Sequence, residues 1–383
     1  MTSSTDERWL ARAREVANDV LARHADDVDR TARWPAESVE ALAQSGLLGL
    51  TIGTALGGAG EGPRTFAGVA RILAEQCAST GMIYVMHIGA TQVIAVAQGF
   101  SQREAVLRQI VAGGHLGTLA FSEPGSRSHF WAPESQPTED GDGCRLTANK
   151  SWVTSAGHAD GYVVSTRGAG RAERLASTLY YVPQGAPGLR VGAAFSGMGL
   201  RGNASSPMCL DNVALRGTDR LSDEGQGFST MLDTVLPWFQ LGSAAVWVGV
   251  ARAATDATRR HLLESRFEHL GQSLASLPNL RARLAQMQVL VDVQEAFLEH
   301  VAGRMEQPRP DTMLAVLQSK AAAAEMALEV TDLGMRACGG AAFSRHVSVE
   351  RNFRDARAGA VMAPTTDILY DFIAKSLLGM PLF

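Results

Sequence analysis

KSWVTSAGHADGYVV, residues 150–164, reads as strand, turn and strand. Aromatic and β-branched residues stand at 152–154 and again at 162–164, and the stretch between them holds two glycines and an aspartate. On a strand, residues i and i+2 point to one face, so Trp152 and Thr154 would present an aromatic plane and a hydroxyl together. Taken alone, a strand tryptophan is more often a core residue. The same texture extends on both sides. HLGTLAFSE (115–123), STLYYV (177–182), LRVGAAF (189–195) and SPMCLDNVAL (206–215) are short, β-branched or aromatic, and separated by Gly, Pro and Asp.

Outside this block the pattern is helical. Residues 36–46, AESVEALAQSG, alternate faces at helical spacing and end on a glycine stop. GTALGGAGEGP (53–63) reads as a Gly-rich loop, and helical patterns resume over 64–112. Helices return from about Ser222. Leu284, Met287, Val291 and Leu298 form an apolar stripe at spacings of 3, 4 and 7, and the helix TMLAVLQSKAAAAEMALEVTDLGMRAC runs into Gly339-Gly340. The expected organisation is an N-terminal helical domain (1–114), a middle β domain (115–220) and a C-terminal helical bundle (221–383), with no internal repeat.

Composition narrows the function classes. A chain of 383 residues that is 46% hydrophobic can bury a large core, and 19% charged residues suits large internal or intersubunit surfaces. A net charge of −4 gives no electrostatic reason to expect nucleic acid or an anionic membrane as partner. Cys77, Cys144, Cys209 and Cys338 are widely spaced and form no CxxC pair, so neither a disulfide framework nor a metal site is expected. The N-terminus carries charges where a signal peptide needs an apolar core, and no apolar run suggests the ~18–20 residues of a membrane span. A cytoplasmic location is expected.

AFSEPGSRSHF (120–130), the 150–164 stretch, SGMGLRGNASS (196–206), SDEGQGF (222–228) and CGGAAFSRHVSVERNFRDAR (338–357), in that order within a helical–β–helical chain, resemble the acyl-CoA dehydrogenase superfamily. The resemblance covers nearly the whole chain. It implies an α+β fold with an N-terminal helical domain, a β-barrel-like middle domain and a C-terminal four-helix bundle. It also implies FAD as cofactor, an acyl thioester as substrate, and electron-transfer flavoprotein or O2 as electron acceptor. A homodimer or homotetramer goes with it.

The resemblance further assigns residues to the cofactor. Leu119, Phe121 and Ser122 fall beneath the isoalloxazine, and Ser128 falls at the pyrophosphate, flanked here by Arg127 and His129. Trp152 stacks on the ring and Thr154 reaches its N5. Arg266 takes the place of an arginine near the adenine half. Arg336, Gly339 and Gly340 approach the neighbouring subunit's flavin, and Thr365 and Asp367 lie near the adenine end. The Gly-rich connection 198–206 reads as purely structural.

One element of the family pattern is missing. The carboxylate that takes the substrate's α-proton stands at one of two places in the family, and these positions are Ala363 and Phe239 here. Gln240 replaces an arginine often seen beside the second position. Asp367 and His87, in YVMHIGA, are the nearby titratable candidates for a replacement base. Three activities remain open: dehydrogenation of an acyl thioester with a non-standard base, an oxidase or monooxygenase reaction on a non-thioester metabolite, and flavin-bound binding without turnover.

Overall fold

Six helices open the chain: α1 (Ser4–Val16), α2 (Ala22–Thr31), α3 (Ala36–Gln44), α4 (Pro63–Gln76), α5 (Ala78–Val96) and α6 (Arg103–Val111). The computed structural model describes residues 4–127, 129–168 and 175–383. The glycine stop falls just past α3, where Gly46 takes a φ of 76°. α5 is apolar on nearly every side because it runs through the protein between α4, α8 and the β domain.

Strands β1 (Gly117–Ala120), β2 (Thr138–Asp140), β3 (Gly143–Val153), β4 (Gly161–Arg167), β5 (Ser177–Pro183), β6 (Leu189–Val191) and β7 (Ser206–Leu215) form two sheets. One has the order β1-β4-β5 with β1 parallel to β4; the other is antiparallel, β2-β3-β7-β6. Tyr162, Val164, Tyr180 and Val182 face Leu146, Leu210 and Val213 in a shared β core. Their strand neighbours Val163 and Leu179 point the other way, into the helical core. Burial on both faces explains why β4 and β5 read as continuous apolar runs, whereas β3 alternates with one face in water.

The C-terminal region comprises α7 (Gly227–Thr230), α8 (Leu236–Glu264), a short β8–β9 hairpin (Arg266–Phe267, Gln272–Ser273), α9 (Pro278–Glu306), α10 (Thr312–Cys338), α11 (Gly340–Phe343), α12 (Val349–Val361) and α13 (Thr366–Leu377). α8, α9, α10 and α12 form the bundle, with α8 at its centre. Small residues let its neighbours close in: a β-carbon at Gly242 would come 2.6 Å from Phe66 of α4. Met287, Val291 and Leu298 are buried along α9, as their spacing predicts. One expectation is corrected. The helical stretches Ala78–Val96 and Gly227–Glu264 are long and apolar enough for a membrane span, but most of each apolar window is buried inside the protein.

Candidate functional site

A cavity of about 780 Å³ lies where the three regions meet. Met86 of α5 contributes to it, as do Leu119, Phe121, Ser122 and Glu123 at and beyond the end of β1. Trp152 and Thr154 form a second wall, residues 195–205 a third, and Val235 and Phe239 a fourth. Arg354, Arg357 and Ala358 of α12, with Met362 and Ala363 just beyond it, close the remaining side.

Trp152 reaches the cavity by a different route from the one its spacing suggests. β3 and β7 lose register between Lys150 and Val153, and Trp152 sits in this irregularity with a φ of 56°. Trp152 is 60% exposed and lines the cavity, and Thr154 lies just past the strand's end. The bulge, rather than a regular pleat, brings the two together. Phe195 stacks on Trp152 with ring centroids 4.0 Å apart.

Phe195 leads into the Gly-rich connection, and here the purely structural expectation is corrected. Gly197, Met198, Leu200, Arg201 and Asn203 all line the cavity. The connection is pressed against α12, where a β-carbon at Gly199 would meet the Arg354 carbonyl oxygen at 2.5 Å. The Leu200 N–H donates to Asp355 (2.6 Å), and the Gly202 N–H donates to the Ser79 hydroxyl (3.1 Å). Arg354 donates to the Met198 carbonyl and forms a two-pronged pair with Asp29 of α2. The Arg-Asp of the RDAR motif therefore ties all three regions to one wall.

Glu123 and Lys150 support the loop that carries Ser122. They pair at 2.6 Å, with the lysine fully buried and the carboxylate nearly so. Glu123 also accepts from the Glu134 and Ser135 amides and from the Ser135 hydroxyl. Burial opposes its charge, but Lys150 and Ser135 outweigh that and hold the carboxyl below its ordinary range.

Ala363 and Phe239, the two places where the family resemblance leads one to expect a base, both line the cavity. Glu123 is the one carboxylate among the described lining residues, and Lys150 neutralises it. Arg354 is likewise neutralised, by Asp29 and Glu350, while Arg127, Arg201 and Arg357 remain, so the walls favour anionic ligands. His87 does not reach the cavity wall. It is fully buried, donates from Nε2 to the Leu48 carbonyl and accepts the Gly117 N–H at Nδ1, and burial pushes it down to about 4. Asp367 is exposed on α13, off the cavity.

Leu119, Phe121, Ser122, Trp152 and Thr154 are brought together. Ser128 lies outside the described residues. Arg266, Arg336, Gly339, Gly340 and Thr365 are not on this cavity. Gly339 and Gly340 sit past the end of α10 with open space around both α-carbons. The cavity fits a flavin: it offers an exposed indole plane, the Ser122 and Thr154 hydroxyls beside it, and guanidinium groups for phosphate.

Residues 3–114, 118–213 and 225–378 match the N-terminal, middle and C-terminal domains of acyl-CoA dehydrogenase. The probable acyl-CoA dehydrogenase YngJ of Bacillus subtilis is 27% identical over 379 residues, covering 98% of each chain. The structure of butyryl-CoA dehydrogenase from Megasphaera elsdenii superimposes with a TM-score of 0.92 at 21% identity over 99% of each chain. The FAD complex of PigA does so with a TM-score of 0.90 at 19% identity, again over 99% of each chain. The chain belongs to the acyl-CoA dehydrogenase family. It is an oxidoreductase of that type, and its cofactor is FAD.

Proposed function

We propose that the protein oxidises the Cα–Cβ bond of an acyl thioester, carried on CoA or on a carrier protein, and passes the electrons to electron-transfer flavoprotein or O2. One observation carries this reading. Ala363 stands on the same cavity as Trp152 and Thr154, and its N–H donates to no group among the described residues. That amide would take the substrate carbonyl, while Trp152 stacks on the isoalloxazine ring and the Thr154 hydroxyl faces it. When bound, FAD supplies the hydride acceptor. Phe239 and Met362 are apolar and keep water from the reacting carbons. Because Lys150 neutralises the one lining carboxylate among the described residues, the α-proton leaves to a basic group on the substrate itself.

The same lack of a free carboxylate supports a second reading, an oxidase or monooxygenase acting on a non-thioester metabolite. In either reading, Arg336, Gly339 and Gly340 meet the flavin of a second copy, so the working form is a homodimer or homotetramer. Arg266, Thr365 and Asp367 serve the adenine end. Four unpaired cysteines suit the cytoplasm.

Anaerobic mixing of the FAD-loaded protein with a panel of acyl-CoAs separates the readings. Bleaching of the flavin by a thioester, without added reductant, is the expected result. Flavin that bleaches only with an external reductase, and then consumes O2 with substrate, favours the monooxygenase. A flavin inert to both leaves binding without turnover.

A further inference from the structure

Lys320 is a buried cation that the site above does not use. Its side chain is fully buried on α10, and Nζ donates to the carbonyls of Met362 (2.8 Å) and Pro364 (2.6 Å), on either side of Ala363. No carboxylate pairs with it among the described residues. The charged groups of the surrounding helices are engaged elsewhere. Arg252 of α8 binds Glu295 of α9, and Arg354 of α12 binds Asp29 and Glu350. Arg357 donates to the Leu328 carbonyl and stacks on Phe353, Lys375 of α13 binds Asp371, and Asp367 is exposed.

In a trans amide the C=O and N–H point in opposite directions. The Met362 carbonyl faces Lys320, so the Ala363 N–H of the same peptide points away from it, and Ala363 lines the cavity. A cation on the carbonyl oxygen polarises the amide and makes its N–H a stronger donor, an effect enlarged in a dry interior.

We propose that Lys320 is a positioning residue that fixes residues 362–364 from behind and, through the Met362–Ala363 peptide, strengthens the Ala363 N–H as donor to the thioester carbonyl. The proposal rests on the thioester reading given above. The donor matters most when negative charge gathers on that oxygen as the α-proton leaves. Burial pushes Lys320 down to about 7, so the donor weakens as pH rises through neutrality. By reciprocity, an anionic oxygen at Ala363 raises Lys320.

The chain has three lysines, Lys150, Lys320 and Lys375, so side-chain 15N resonances of the FAD-loaded protein can report on each. The probe is acetoacetyl-CoA, whose enolised form shares its charge with the thioester oxygen. One signal, absent from Lys320→Gln, should titrate near neutrality and move up by about one pH unit or more when the probe binds. Affinity for the enolate should fall by the same factor, about tenfold for a shift of one pH unit, as pH rises from the free titration to the bound one. Lys320→Gln should lose about tenfold or more in enolate affinity while FAD content and affinity for CoA itself stay unchanged, and Lys320→Arg should keep most of the enolate affinity. Acetoacetyl-CoA binding with no movement of the lysine signal overturns the relay, and the wild-type titration decides this even where a variant fails to fold. Equal losses for CoA and acetoacetyl-CoA in Lys320→Gln reduce Lys320 to a purely structural group. A wild-type protein that binds no acyl-CoA removes the thioester reading, and the relay with it.

Discussion

Arg354 and Asp29, 325 residues apart in the chain, form a two-pronged ion pair with N···O distances of 2.9 and 2.5 Å. Both side chains are largely buried, so losing Arg354 strands the Asp29 carboxylate away from water, whereas losing Asp29 leaves Arg354 its second partner, Glu350. Arg354→Leu should therefore cost about 3–5 kcal/mol of stability, and Asp29→Asn less. The double substitution Asp29→Leu with Arg354→Leu should recover part of that. Urea midpoints for the three variants measure it, and costs that simply add would contradict the pairing.

Asp355 and His87 oppose one another in acid. Burial pushes Asp355 up to about 6 from 3.8, so between these values the folded protein holds a proton that the unfolded chain releases. Its contribution to stability grows as pH falls through that window. His87 sits at about 4 against 6.5 unfolded, so its contribution is lost as pH falls through nearly the same window. At about 1.4 kcal/mol per pH unit, each amounts to about 3 kcal/mol. Asp355→Asn keeps an acceptor for the Leu200 N–H but removes the opposing gain. Its stability should fall more steeply than wild type from about pH 6 to pH 4 in urea titrations. Parallel profiles would contradict the burial of a protonated Asp355.

Trp152 offers its face to the cavity while contributing little to the core. Trp152→Ala should leave the melting temperature of the FAD-free protein nearly unchanged. It should weaken FAD binding about tenfold or more, the worth of an aromatic stack plus its buried area. Flavin fluorescence titration reads the affinity directly. Unchanged affinity would remove Trp152 from the flavin wall.

Ala363→Glu with Pro364→Gly places a carboxylate where the family resemblance leads one to expect the base. A positioned base is worth about 10²–10⁴-fold in rate. The new side chain meets Phe239 and Met362, where poor solvation raises its pKa. At neutral pH the variant should therefore bleach with butyryl-CoA no faster than the parent, and any gain should appear only toward alkaline pH. A full gain at pH 7 would mean that the site still has the shape of an ordinary member with only its base removed.

The order of elements was readable because each region keeps its own period: 3.6 in the helices, alternation in β3, and continuous apolar runs in β4 and β5. Ser122, Trp152 and Thr154 were readable because they stand inside recognisable motifs. Phe195 was not, because LRVGAAF reads as a strand, whereas β6 ends at Val191 and Phe195 gains meaning only when the chain beyond it folds back against α12. Lys320 sits in an alanine-rich helical run where a lysine ordinarily reads as a solvated face. What sets it apart is the pair of carbonyls supplied by a segment more than forty residues away. α5 and α8 were misread as too short of apolar residues to resemble membrane spans, because scattered polar groups such as His87 and Gln240 interrupt runs that are buried all the same.

The cavity owes its walls to all three regions, and Arg354 fastens them along one of those walls. Whatever fills the cavity is therefore a further fastener, touching the β domain through Trp152 and the bundle through Ala363. One hydrophobic core already runs through all three regions, so they unfold together even when the cavity is empty. Filling the cavity moves that single transition upward with ligand concentration. The rise of the midpoint thus becomes a measure of how completely the cavity is filled.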